Sequence, residues 1–188
     1  MKILKLMLFI TILYCGQANL FAQSSTLRGG IKGGINSTKI GGDASGLKPK
    51  VGFQIGGFMK YSISDYVALQ PEVMFSMQGA KSIKGDISLH YNYVNIPLIA
   101  KVYPDGKGFN IQAGPQLGLL ASANVKGGDE KQDVSDQLNG TDFAFAVGLG
   151  HDFNRLTIDL RYNIGISSTS DQGSYPNNVL QLGVGIFL

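Results

Sequence analysis

Hydrophobic and polar positions alternate along most of this chain. In RLTIDLRYNIGIS, residues 155 to 167, one set is Leu156, Ile158, Leu160, Tyr162, Ile164 and Ile166, and the other is Thr157, Asp159, Arg161, Asn163, Gly165 and Ser167. A period of two predicts a β-strand that is apolar on one face only. Seven further segments share it: 27–36, 51–61, 66–78, 90–103, 108–122, 141–153 and 178–188. No stretch repeats apolar residues at helical spacing for long enough to predict a helix.

The connections between these segments alternate in length. About a dozen residues follow the first strand, the four residues SISD the second, about eleven the third and PDGK the fourth. A long polar loop follows the fifth, a tight turn at Asn154 the sixth, and a Ser/Asp/Gly/Pro stretch the seventh. An up-and-down meander places all short turns at one end and all long loops at the other, as in outer-membrane barrels whose short turns face the periplasm. The expected fold is therefore all-β: an eight-stranded antiparallel up-and-down transmembrane β-barrel. Its long loops, 37–50, 79–89, 123–140 and 168–177, are the expected contact surface for envelope protein partners.

Charge decides which face meets lipid. Arg28, Lys32, Lys60, Glu72, Lys101, Asp159 and Arg161 all lie on the polar faces of their strands. A lysine or arginine facing lipid at mid-membrane costs roughly 2 to 4 kcal/mol, so these residues are expected inside and the Leu, Ile, Val and Phe rows outside. An eight-stranded barrel has room inside for side chains and not for a wide channel, and buried charges require partners. Glu72 and Asp159 are expected to pair with some of Arg161, Lys101 and Lys60, forming a polar network that plugs the lumen. Strands of ten to eleven residues, tilted about 40°, span on the order of 26 to 29 Å, which suits the apolar band of such a barrel. Aromatic residues near strand ends suggest interfacial girdles: Tyr61, Tyr66, Tyr103, Phe109, Phe153 and Phe187 by the short turns, and Tyr91, Tyr93 and Phe143 by the long loops.

The first residues alter the charge balance. Lys2 and Lys5 precede an apolar run from Leu6 to Tyr14 and a small-residue exit ending at Ala22, the pattern of a secretory signal peptide over 1–22 that leaves a barrel domain over 23–188. The remaining balance is 16 − 2 = 14 basic against 13 acidic residues, a formal net of +1. With no block of like charge and no Trp, nucleic acid is not an expected partner. Cys15, the only cysteine, lies inside the leader. Tyr14 before it is bulkier than lipoprotein processing sites accept, so neither a lipid anchor nor thiol chemistry is expected.

Three stretches, YVNIPLIAKVY (93–103), FNIQAGPQLGLLASA (109–123) and the pair DFAFAVGLGHDF…LTIDLRYNIGIS (142–167), closed by LQLGVGIFL, together resemble the PorT-like family of outer-membrane β-barrel proteins over essentially the whole mature chain. The resemblance implies an outer-membrane barrel without assigned catalytic residues, in a family some of whose members are associated with protein export. The chain departs from the common barrel ending on an aromatic residue, closing instead on Phe187-Leu188.

Little else suggests chemistry. His90 and His151 fall on different strands, near opposite ends of the expected barrel, and His90 with Ser88 and Asp86 is the only local arrangement that could serve a lipid-modifying enzyme. Asp129, Glu130, Asp133 and Asp136 lack the spacing of a calcium loop. Neither GGINSTKIGG nor GLGHDF has a phosphate-binding context. No catalytic residue, metal or cofactor is therefore expected, and outer-membrane lipid is the expected surrounding. The competing reading is a soluble lipocalin-like carrier of an apolar ligand, which would place Leu156, Ile158 and Leu160 inside and Arg161 outside.

Overall fold

A computed structural model describes residues 27–41, 47–82, 87–127, 130–135, 138–168 and 175–188. The leader expected over 1–22 lies outside the described residues. Nine strands make up the structure: β1 (Leu27–Ile40), β2 (Leu47–Ser62), β3 (Val67–Ser82), β4 (Ile87–Val102), β5 (Phe109–Gly127), β6 (Glu130–Asp133), β7 (Thr141–Asp152), β8 (Leu156–Gly165) and β9 (Asn177–Phe187). Eight of them close an antiparallel barrel. Each pairs with its neighbour in the chain, β5 pairs with β7, and β1 closes the ring on β9 with Ile31 opposite Ile186 and Ile35 opposite Leu182. Among the described residues the short β6 pairs only with the far end of β5, inside what the sequence presents as the loop 123–140.

Alternation sets the orientation. Leu160 is 50 % exposed, Val73 57 % and Leu182 44 %, while their chain neighbours Asp159, Glu72 and Gln181 are buried. The apolar rows thus face outward and the charged rows inward, as a bilayer demands and opposite to the arrangement of a carrier with an apolar cavity. The short turns 63–66, 103–108 and 153–155 gather at one end with Leu27 and Leu188, where the Leu188 amide donates to the Gly29 carbonyl at 2.9 Å.

The strands are not of equal length. β2, β3 and β4 run 16 residues and β5 runs 19, against 12, 10 and 11 for β7, β8 and β9. All of them start or stop close to the short turns, so the surplus rises at the long-loop end, lifting one wall above the other by roughly 15 Å along the strands. This corrects the boundaries of all four expected loops. Residues 37–40 and 47–50 of the expected loop 37–50, 79–82 and 87–89 of 79–89, 123–127 and 130–133 of 123–140, and 177 of 168–177 are strand. Above the membrane a strand has water or other protein on both sides, so the hydrophobic alternation that marks it inside the bilayer fades.

Candidate functional site

The interior is filled by side chains in layers. Midway, Lys32 (β1), Glu72 (β3), Asp159 and Arg161 (β8) are each no more than 3 % exposed. The Arg161 guanidinium grips Glu72 with two bonds, Nη1 to Oε2 at 2.9 Å and Nη2 to Oε1 at 2.6 Å, and its Nε donates to Gln112 Oε1 at 2.6 Å. This planar fork on a planar carboxylate is the strongest pairing that the two groups can make. Arg161 also lies 3.4 Å from Asp159, and the Lys32 ammonium sits 2.7 Å from Asp159 and 3.6 Å from Glu72. Gln70 adds a bond to Glu72 Oε1 at 2.7 Å, and Gln112 donates onward to Asn110 at 2.7 Å. The sequence places these partners on strands far apart in the chain, and barrel closure with its tilt brings them to one level.

A second layer sits nearer the short turns. Asp152, the last residue of β7, accepts four bonds: Lys101 Nζ and Thr157 Oγ1 on Oδ1 at 3.0 and 2.8 Å, and Lys60 Nζ and the Tyr103 hydroxyl on Oδ2 at 3.0 and 2.8 Å. Tyr103 lies one residue beyond β4, and burial, reinforced by the Asp152 carboxylate, pushes its phenol up. Beside this cluster Phe187 turns inward. Phe58 meets it edge-on at 5.2 Å between ring centroids, and the Arg28 guanidinium lies 3.9 Å above its ring. Arg28 also donates to the Asn154 carbonyl, tying the N-terminal strand to the β7–β8 turn.

Towards the long loops the ion-paired layers give way to a hydrogen-bonded polar layer that includes Asp142, and then to an apolar cap. Asn177 reaches across to Gln78 at 2.6 Å, Ser167 donates to Asp142 at 2.8 Å, and Asn36 donates to Ser76 at 3.1 Å. Above them Ile40, Ala80, Tyr91, Tyr93 and Ala123 pack into a core against which Leu89, Leu120, Val134, Leu138 and Tyr175 close. The polypeptide after β6 folds onto β5 to make this cap, with the Val134 amide on the Ala123 carbonyl at 3.1 Å and the Ala123 amide on Ser135 Oγ at 2.9 Å.

Of the five residues expected in the luminal network, Glu72, Asp159 and Arg161 come together at one level. Lys60 and Lys101 do not join them and share Asp152 instead. Asp152 was not among the expected residues, although it continues the inward parity of Asp142, Ala144, Ala146, Gly148 and Gly150. Lys32 and Gln112 likewise sit on polar rows, and only the stagger of the closed barrel shows what they meet. The girdle needs a larger correction. Tyr61, Tyr66, Phe109, Phe143 and Phe153 are exposed as expected, but Tyr91, Tyr93, Tyr103 and Phe187 are buried in the lumen and its cap. Tyrosine fits either site because its ring is apolar and its hydroxyl is not.

His90 and His151 occupy opposite ends, in early β4 and late β7, and the His151 ring lies against that of Phe153, 4.4 Å between centroids and tilted by 49°. Ser88 lies on the same strand as His90, while Asp86 falls outside the described residues, as do Asp129 and Asp136 of the acidic loop. Among the described residues no group of three or more His, Cys, Asp or Glu side chains could hold a metal ion.

The comparisons agree with this geometry. Residues 21–171 match the family described as "outer membrane protein beta-barrel domain", and the chain belongs to that family, whose place is the outer membrane. Its fold is similar to that of Neisserial surface protein A, with TM-score 0.58 and 16 % identity over 84 % of this chain and 96 % of that one. It is also similar to Ail, the attachment invasion locus protein of Yersinia pestis, with TM-score 0.55 and 14 % identity over 88 % of this chain and all of the other. At such identities the likeness shows the fold alone. No curated protein matches the chain.

Proposed function

We propose that this protein is a non-enzymatic structural and interaction component of the outer membrane: a barrel sealed through its axis that holds its raised extracellular rim out to envelope partners. The observation that carries the proposal is the filled lumen, in which four cations (Lys32, Lys60, Lys101 and Arg161) and three carboxylates (Glu72, Asp152 and Asp159) are bonded across the bore in two layers under an apolar cap. A wall-to-wall network of this kind leaves no path for a solute. The two histidines lie at opposite ends of the barrel, which supports a non-enzymatic role. In this reading residues 1–22 are a removed leader. Partners dock on the residues above the bilayer, within 37–50, 79–89, 123–140 and 168–177. The resemblance to PorT-like barrels supports a place beside export machinery.

The test is reconstitution of the purified barrel in planar bilayers, with folding verified by the shift between unheated and boiled gel migration. A folded protein without discrete conductance steps is expected. Steps in the native protein, or lipid hydrolysis lost on His90→Ala, would replace this reading with a pore or an enzyme.

A further inference from the structure

One carboxylate inside the barrel stands outside the ion pairs that fill the bore. Glu72, Asp152 and Asp159 each have a lysine or arginine in contact. Asp142, at the start of β7, is only 6 % exposed, yet among the described residues no cation pairs with it. Its Oδ1 accepts from the Ser167 hydroxyl at 2.8 Å, and its Oδ2 has only the Asn177 amide nitrogen, at 3.4 Å. Two neutral donors, one of them distant, do little for an ionised carboxylate taken out of water, which requires an opposite charge. Lys50, the buried lysine of the cap end, holds its ammonium on two backbone carbonyls instead, of Gln78 at 3.3 Å and Leu89 at 3.0 Å.

The same layer gathers buried polar atoms that have no hydrogen-bond partner. Strand register sets Asn95, Gly118 and Asp142 in one row across β4, β5 and β7. A Cβ on Gly118 would lie 3.0 Å from Asn95 Oδ1, 3.3 Å from the Asp142 Cβ and 3.4 Å from the Tyr93 ring, so three side chains surround a position that carries none. Asn177 enters this layer from β9, its nitrogen donating to Gln78 at 2.6 Å, and its side-chain oxygen is unbonded. The Tyr93 hydroxyl and Asn95 Nδ2 are unbonded as well. The free Asn177 oxygen belongs to the amide whose nitrogen touches Asp142, so it stands beside the carboxylate. Donor chemistry narrows what could sit there. Calcium sites draw on several carboxylates and transition metals on imidazole or thiolate, whereas Asp142 has neither a second carboxylate nor a histidine in contact among the described residues. A single negative charge among amide and hydroxyl oxygens balances a single positive one, and the contacts around Gly118 leave room for a bare ion rather than an organic cation.

We propose that the lumen beneath the cap holds one alkali-metal cation, bound by the Asp142 carboxylate and the Asn177 side-chain oxygen, with the Ser167 and Tyr93 hydroxyls as neutral neighbours. The ion supplies the positive charge that Asp142 lacks and ties the start of β7 to the start of β9, the roots of the long loops 123–140 and 168–177. It stands apart from the choice of envelope partner, since it depends only on groups inside the barrel.

The test is folding of the full chain in detergent across a urea series, followed by heat-modifiable gel migration. Chloride is held constant while Na+ or K+ replaces N-methylglucamine, a cation too large to enter. Above its dissociation constant, the preferred ion should raise the folding equilibrium constant of the native barrel about tenfold for each tenfold increase in concentration. D142N, which keeps the shape and removes the charge, should not respond to either ion, and D65N, altered at an exposed carboxylate of the short-turn end, should respond like the native chain. If D142N does not fold, N177A is read instead, its half-effect concentration expected to rise on the order of tenfold. A native barrel equally stable in alkali and N-methylglucamine chloride, or an undiminished response in folded D142N or N177A, would overturn the proposal. Stability that ignores the ion and rises as pH falls would overturn it too, by showing that Asp142 is neutralised by a proton.

Discussion

At the scale of single residues, the behaviour of this barrel turns on the charges taken out of water. Arg161 and Glu72 are bonded twice to each other and hold further partners in Gln112, Gln70, Asp159 and Lys32. Removing one member of such a pair strands the other at a cost of about 3 to 5 kcal/mol, whereas replacing both by apolar groups of like volume is often neutral. Glu72→Gln is accordingly expected to lower unfolding stability in detergent by about 3 kcal/mol, and E72M/R161M to recover most of the loss in the same urea titration. Equal losses in the single and the double variant would show that the pair is replaceable only as a polar unit. That these groups face inward is visible in the alternation around Leu160 and Arg161. Which cation meets which carboxylate is not, because partners on different strands, 51 residues apart for Lys101 and Asp152 and 127 for Lys32 and Asp159, are matched by the tilt of the closed sheet. Asp152 shows the difference: its parity is readable, but the four donors that converge on it come from β2, β8, β4 and the residue just after β4.

At the scale of strands, close backbone approach decides which glycines are fixed. A Cβ on Gly34, which faces the lumen, would lie 2.1 Å from the Leu182 carbonyl oxygen of β9, while one on its neighbour Gly33, which faces lipid, would be 3.6 Å from the Gln54 carbonyl oxygen. G34A should therefore slow or prevent folding into micelles, and G33A should fold like the native chain; the fraction reaching the heat-modifiable form measures both. The ends of the strands follow different physics. Inside the bilayer each strand has oil on one side, and its pattern is strict. Beyond it, the extensions of β2 to β5 carry lysine and serine on the outer side and only scattered small or apolar residues such as Ala80, Leu89 and Ala123 on the inner, so the sequence reads as loop where the structure has sheet. The cap closing over Tyr91 depends on Val134 and Leu138 from the stretch after β6. A charge there should detach it without unfolding the wall. L138D is expected to speed hydrogen exchange at the Ala123 and Leu120 amides, which bond to that stretch, and to leave the Ile158 and Leu160 amides protected. Faster exchange throughout the barrel would mean that cap and wall unfold as one unit.

At the scale of the whole molecule, the layers lie in series along one bore, so in the proposed sealed barrel each alone is expected to stop a solute. The central Lys32, Glu72, Asp159 and Arg161 set, the Asp152 cluster with Phe187 near the short turns, and the cap at the far end share no hydrogen-bonded side chain with one another among the described residues. Opening one should therefore leave the others closed. E72A/R161A is expected to form a folded, less stable barrel that passes no current, and D152A/F187A likewise, since each set lies on different residues and the cap is intact in both. Only when both sets are removed together with the cap contact at Leu138 should the bore wet from end to end and small conductance steps appear in a planar bilayer. Barrel closure survives because it rests on the backbone ladder and on the lipid-facing rows, which none of these substitutions touches. If either pair alone conducts, the layers are not independent seals, and the stability cost of the central charges must be spreading through the barrel to loosen the cap.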